Sequence, residues 1–199
     1  MMKKKGMVFA LIFAFLICAV PMQTKADMKE LPAAQYCSVV IPESFKVTDV
    51  PGMYVNEHYP LESANVTYGV KTLPEDRVLT NAQKAAGESE SASEVDIRYD
   101  ELTKDMYDEI MKENYEALYG DGIGYTIENF EDIQKDGFPG YHIISSFTPE
   151  GSQMIHQETF IILSQNRVFT VVYSRAEDDD FTEAFAQSME SIHVIRKNR

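Results

Sequence analysis

Apolar and polar residues alternate with a period of two through much of the C-terminal half of the chain. Four runs carry the pattern: GYTIENFEDIQ (124–134), GYHIISSFT (140–148), MIHQETFIIL (154–163) and RVFTVVYS (167–174). Successive side chains of a strand point to opposite faces, so each run predicts a β-strand. KDGFPG, PEGS and SQN separate the runs. Their Gly, Pro, Asp and Asn suit chain reversals, which predicts an antiparallel meander. Earlier, YCSVVIP (36–42) and NVTYGVKT (65–72) alternate in the same way and predict two further strands, joined by a loop through Pro51 and Gly52.

From Asp100 the period lengthens to that of a helix. Leu102, Met106, Ile110, Met111, Tyr115 and Leu118 fall on one broad face, and Gly120 is placed to end the element. A last helix is marked by Phe181, Phe185, Met189 and Ile192 at helical spacing. Asp180 with Glu183 three residues on predicts a capping box, and Asp178 and Asp179 add negative charge near the positive end of the helix dipole. LTNAQKAAG predicts a short helix with Thr80 as cap and Gly87 as stop, and the polar GESESASE an exposed loop. The fold class is therefore α+β: an antiparallel β-sheet meander flanked by helices, in a single domain over residues 27–199.

The N-terminus changes the picture of where this domain works. MMKKKG precedes the apolar stretch Met7–Met22, and TKA ends at Ala26. A basic start, an apolar core and a small-residue exit predict a signal peptide over residues 1–26. The apolar run is shorter than the roughly 20 residues of a membrane span, so cleavage is expected, with an uncleaved anchor as the alternative. Lipidation at Cys18 is the lesser reading, because Ile17 stands where a lipobox has a small residue. Removing residues 1–26 takes four lysines from the 18 basic residues and leaves 14 against 32 acidic ones, a net charge of −18. A surface so acidic argues against nucleic-acid binding and against association with anionic membrane. Membrane insertion of the mature domain is not expected. Cys37 is the one cysteine left, so no intrachain disulfide forms. Its alternation with Val39 and Ile41 predicts a small buried apolar group rather than a nucleophile.

Candidate chemistry is sparse. YGDGIGY (119–125) has Gly120, Gly122 and Gly124 beside Asp121. A phosphate loop follows a strand and opens a helix, whereas here the helix comes first. The alternate positions after Asp121 hold Ile123, Tyr125 and Ile127, not the oxygen ligands of a calcium loop. The glycines therefore predict a helix stop and a bend. Glu177, Asp178, Asp179 and Asp180 could hold a cation weakly, but helix initiation explains them better. If Tyr141, Ile143 and Phe147 share a face with Ile155, Ile161 and Leu163, then His142 and His156 share the other face, near Glu158. No HExxH or CxxC makes that pair a zinc site. His58 and His193 lie outside any motif, and Asn65-Val-Thr67, a match to a glycosylation sequon, falls within a predicted strand. The sequence has no GxSxG elbow, P-loop or Ser-x-x-Lys set. No catalytic, cofactor-binding or metal-binding residue is assigned, and no cofactor is expected.

GFPGYHIISSFT, FIILSQNRVFTVVYS and FTEAFAQSMESI, with SVVIPESF as opening strand and Pro-containing exit, resemble the PsbP-like fold family. The photosynthetic members of that family are extrinsic binding subunits on the lumenal side of photosystem II, and bacterial relatives are exported proteins, many without an assigned activity. The resemblance implies an α-β-α sandwich and a binding or assembly role, and carries over no functional residue. The expected function is an exported, non-enzymatic binding or accessory module of the cell surface or extracellular space. Its partner would be a protein or small ligand at the cell envelope. An exported hydrolase, with a site formed only in three dimensions, is the alternative. A small-molecule carrier would instead show an apolar cavity beneath the long helix.

Overall fold

Ten-residue strands with both faces buried set the plan of the molecule. The computed structural model describes residues 31–72, 99–165 and 167–197, with Asn81 and Ala85 between them. The strands are β1 (Ala34–Ser38), β2 (Phe45–Val47), β3 (Met53–Asn56), β4 (Asn65–Thr72), β5 (Thr126–Lys135), β6 (Phe138–Phe147), β7 (Ile155–Ser164), β8 (Arg167–Ala176) and β9 (His193–Arg196). Helix α1 spans Lys104–Tyr119 and α2 spans Thr182–Glu190. Seven strands form one antiparallel sheet in the order β2-β3-β4-β8-β7-β6-β5, and β1 pairs with β9 in a separate ribbon.

The predicted meander is β5 to β8. Its register places Tyr141 opposite Ile161 and Phe147 opposite Ile155, on the face covered by α1. Tyr107 and Tyr115 of α1 close that core with Ile143, Leu163 and Val168. The alternate residues, Phe138, Ile162, Phe169, Val171 and Tyr173, form a second core on the other face with Phe185 of α2, and with Cys37 and Val194 of the ribbon. The period of two thus sorts one set of strands into two cores.

One row on the α1 face is polar. Asn65, Ser174, Gln157 and Ser145 lie side by side across four strands, each at most 2% exposed. Tyr115 Oη donates to Gln157 Oε1 at 2.6 Å, and Gln157 Nε2 donates to Ser174 Oγ at 2.8 Å. Buried polar groups are costly unless hydrogen-bonded, so this chain ties α1 to β7 and β8 in one position. On the opposite face Tyr173 Oη and Ser188 Oγ, 3.0 Å apart, join β8 to α2, and Ser188 Oγ donates to the Val40 carbonyl at 2.6 Å.

Several local expectations change. Strand β1 ends at Ser38, although Val39 and Ile41 still pack partly into the second core. Strands β2 and β3 replace part of the expected loop around Gly52, and β9 follows the last helix; all three are too short for a period to stand out. The KDGFPG turn shrinks to Asp136-Gly137, with φ of 52° and 80°, and Phe138, Pro139 and Gly140 enter β6. Leu118 is 62% exposed, while its neighbour Tyr119 packs against the first core and Tyr107, outside the expected face, is buried. The capping box does not form: Phe181 is the N-cap of α2 and makes no side-chain cap bond. Its ring meets Phe45 edge-on at 5.3 Å, which fixes the helix start one residue later than expected. Helix α1 begins at Lys104 after a 3-10 turn at Tyr99–Glu101, with Thr103 Oγ1 accepting from Met106 N. The signal peptide and the GESESASE loop lie outside the described residues; of the predicted short helix Asn81 and Ala85 are described, and both are helical.

Gly140 shows how tightly the strands are seated. A Cβ there would stand 2.1 Å from the Ile161 carbonyl oxygen, which is backbone and cannot swing away. Gly140→Ala is expected to destabilise the fold by about 2–3 kcal/mol, as overpacking does. Urea unfolding checks it; a change below about 0.5 kcal/mol, the range of ordinary surface substitutions, contradicts this packing.

Candidate functional site

The features singled out in the sequence resolve mostly into structure. Gly120 caps α1, its N–H bonded to the Glu116 carbonyl, and Gly120, Gly122 and Gly124 all have positive φ, as a helix stop followed by a bend requires. Ile123, between them, is buried, and its carbonyl accepts from Thr148 N. In the acidic run, Asp179 Oδ2 accepts from Ser63 N, Ser63 Oγ and Ala176 N, so this carboxylate pins the β3–β4 link to the end of β8. Asp178 accepts from Gln153. Among the described residues no group of three or more His, Cys, Asp or Glu is placed to hold a metal ion. Asn65 and Thr67 of the sequon are buried in β4. Cys37 is buried, and burial, reinforced by the Asp136 carboxylate, pushes its thiol up to about 11.

His142 and His156 do share a face, as the register demands, but they do not meet. His142 opposes Phe160 while His156 opposes Ser146, four positions along β6, or about 13 Å. Glu158 lies between. His142 instead bridges three strands. Its Nδ1 is 2.9 Å from Glu131 Oε1 on β5, its Nε2 is 3.7 Å from Glu158 Oε2 on β7, and its ring stacks on Phe160 at 4.4 Å. Glu158, then Glu131, raise the His142 pKa, while burial opposes them. The Nε2 contact is too long for a hydrogen bond and leaves that atom buried without one, so we read Glu158 as a charge partner and Glu131 as the hydrogen-bonded one. The sequence pointed to Glu158 but missed Glu131, because β5 pairing through a bulge between Ile127 and Asn129 sets which β5 residue faces His142. His193 contacts Asp136 at 3.3 Å, and His58 lies beside Glu57, both exposed.

On the other face of the same three strands lies an open groove of about 390 Å³, lined by Leu31, Ile133, Pro139, Gly140, Tyr141 and Leu163, with Asp132 and Gln134 completing it. It adjoins β5, the last strand of the sheet, whose outer edge pairs with no strand among the described residues. This border of the sheet, with the His142 bridge on one face and the groove on the other, is the candidate site. It lies at the rim, not beneath α1, where the space a carrier would need is filled by Tyr107, Tyr115, Phe147 and their neighbours.

No family model and no curated protein matches the chain. Among solved structures, it matches the solution structure of cyanobacterial PsbP (CyanoP) from Synechocystis sp. PCC 6803. The TM-score is 0.52 at 15% identity, covering 88% of this chain and 99% of that one. The chain has a PsbP-like fold. Two other similar structures superpose more loosely. One is a protein of unknown function from Pseudomonas aeruginosa, PA94, described as a putative regulator, with a TM-score of 0.37 at 10% identity over 78% of this chain and 97% of that one. The other, from Bacteroides thetaiotaomicron VPI-5482, has a TM-score of 0.40 at 10% identity over 85% of this chain and 48% of that one. The PsbP-like likeness is one of fold, and the site rests on this chain's own residues.

The His142 bridge has a testable pH signature. A histidine whose pKa is raised on folding stabilises the fold fully below its unfolded value of about 6.5, and loses that contribution as pH rises through the folded value. The stability difference between wild type and His142→Asn is therefore expected to be larger at pH 5.5 than at pH 8.5. Equal differences at both values contradict the bridge. Cys37 is expected to resist thiol reagents at pH 8 until the protein unfolds; rapid native labelling contradicts its burial.

Proposed function

We propose that the protein is exported and acts as a non-enzymatic binding or accessory module at the cell surface or in the extracellular space. The observation that carries this reading is the sheet rim: a ten-residue strand whose outer edge pairs with no strand among the described residues, beside an open groove. Most of the internal polar groups described above are engaged with one another, as in Tyr115–Gln157–Ser174 and Asp179–Ser63. The basic start, apolar core and TKA exit support export. No helix among the described residues is long and apolar enough to cross a membrane.

A second reading, an exported hydrolase, is favoured by the carboxylate-flanked His142, a group with acid–base capacity. It predicts turnover of ester, peptide or glycoside substrates that His142→Ala abolishes, whereas a binding module turns over none of them.

Export is checked by fractionating cells and sequencing the N-terminus. The expected result is a chain beginning at Asp27 outside the cytoplasm; an intact chain retained in the cytoplasm contradicts it. Cross-linking in intact cells through a photoreactive residue at Gln134 is expected to trap an envelope component. Absence of any adduct there, over varied salt, contradicts the binding reading.

A further inference from the structure

The edge of β5 has chemistry of its own. Strand β5 carries Glu128, Glu131 and Asp132, with Lys135 at its end. Glu131 is held by His142, whereas Glu128 and Asp132 are exposed and make no ion pair among the described residues. Charges and a bulge on an edge strand also guard against self-association. What sets this edge apart from a merely protected one is the groove beside it, where the half-buried Leu31, Ile133 and Pro139 offer apolar surface and the buried Tyr141 and Leu163 form the floor.

Resting on the binding-module reading, the geometry points to β5 as the docking edge for an extended basic segment of a partner protein, which adds as a further strand. Backbone hydrogen bonds to the outer edge, which pairs with no strand among the described residues, supply affinity, and alternate side chains supply selectivity. An apolar side chain of the added segment enters the groove. Lysine or arginine side chains on it reach Glu128 and Asp132, whose charge they complement. A second copy of this chain fits poorly, since antiparallel pairing of β5 centred on Phe130 sets Glu128 against Asp132, and parallel in-register pairing sets each carboxylate against its own copy. Nucleic acid is repelled by the same carboxylates.

The test uses the mature protein (residues 27–199) and three capped ten-residue peptides. One alternates lysine and valine, one has glutamate in place of lysine, and one is the lysine peptide with alternate backbone nitrogens methylated. Fluorescence anisotropy reads binding, and amide hydrogen exchange reads the site. The lysine peptide is expected to bind in a salt-sensitive manner and to slow exchange of β5 amides. The glutamate and methylated peptides should each bind at least about tenfold more weakly, and Glu128→Lys with Asp132→Lys should cost the lysine peptide a similar factor. Both substituted positions are exposed, and circular dichroism confirms that the double variant folds. Failure of the lysine peptide to bind, equal binding of the glutamate peptide, protection away from β5, or a dimer protected at β5 each overturns the proposal. An envelope component captured equally by wild type and the double variant also overturns this edge as the site, and leaves the binding-module reading standing.

Discussion

Register is the constraint on which the rest of this structure depends. The buried row Asn65, Ser174, Gln157 and Ser145 crosses four strands, and Tyr115 of α1 closes onto it through Gln157. Side-chain direction in a strand repeats every two residues, so a slip of one position would turn Gln157 to the other face and bring Glu158 beneath α1. An unpaired carboxylate there is far costlier than the hydrogen-bonded amide it replaces. The polar row therefore selects one alignment, and the apolar residues above and below it, Ile143, Leu163 and Val168 against Phe138, Ile162 and Phe169, reinforce the same choice.

That alignment was largely legible in the sequence because it is written in a strong period. The runs around Ile143 and Ile161 alternate over a whole strand, and the expected shared face follows from the odd link between Phe147 and Ile155. The elements without a sequence signal are short or owed to distant contacts. Phe45–Val47 and His193–Arg196 carry too few residues to show a period, and β9 exists because β1, far away in sequence, pairs with it. Asp180 offered good local capping chemistry, yet Phe181 found Phe45 and Phe185, and burial of three aromatic rings outweighs one cap. Leu118 turns outward while Tyr107 and Tyr119 turn toward the core for a related reason. Helical spacing gives a broad stripe, and the position of the sheet decides which of its residues turn inward.

The site was less legible than the fold. Its pieces come from β5, β6 and β7 and meet only through pairing, so Glu131 has no sequence signal that joins it to His142. The bulge in β5 shifts which residue faces which, and a bulge is a property of the paired strands rather than of one run. The glycines of YGDGIGY were the most conspicuous local feature, and they serve the chain's turn out of α1. The candidate site instead lies at the rim, where the meander ends and Asp132 stands beside the groove.

The sheet's end at β5 is the point from which the functional account proceeds. Residue-resolved hydrogen exchange on the free protein tests it most directly. Alternate β5 amides that point away from β6 should exchange close to the rate of an open chain, while those bonded to β6 and the amides of β7 and β8 exchange slowly. Uniform slow exchange along Thr126–Lys135 would mean that the edge is already covered, and would contradict the account.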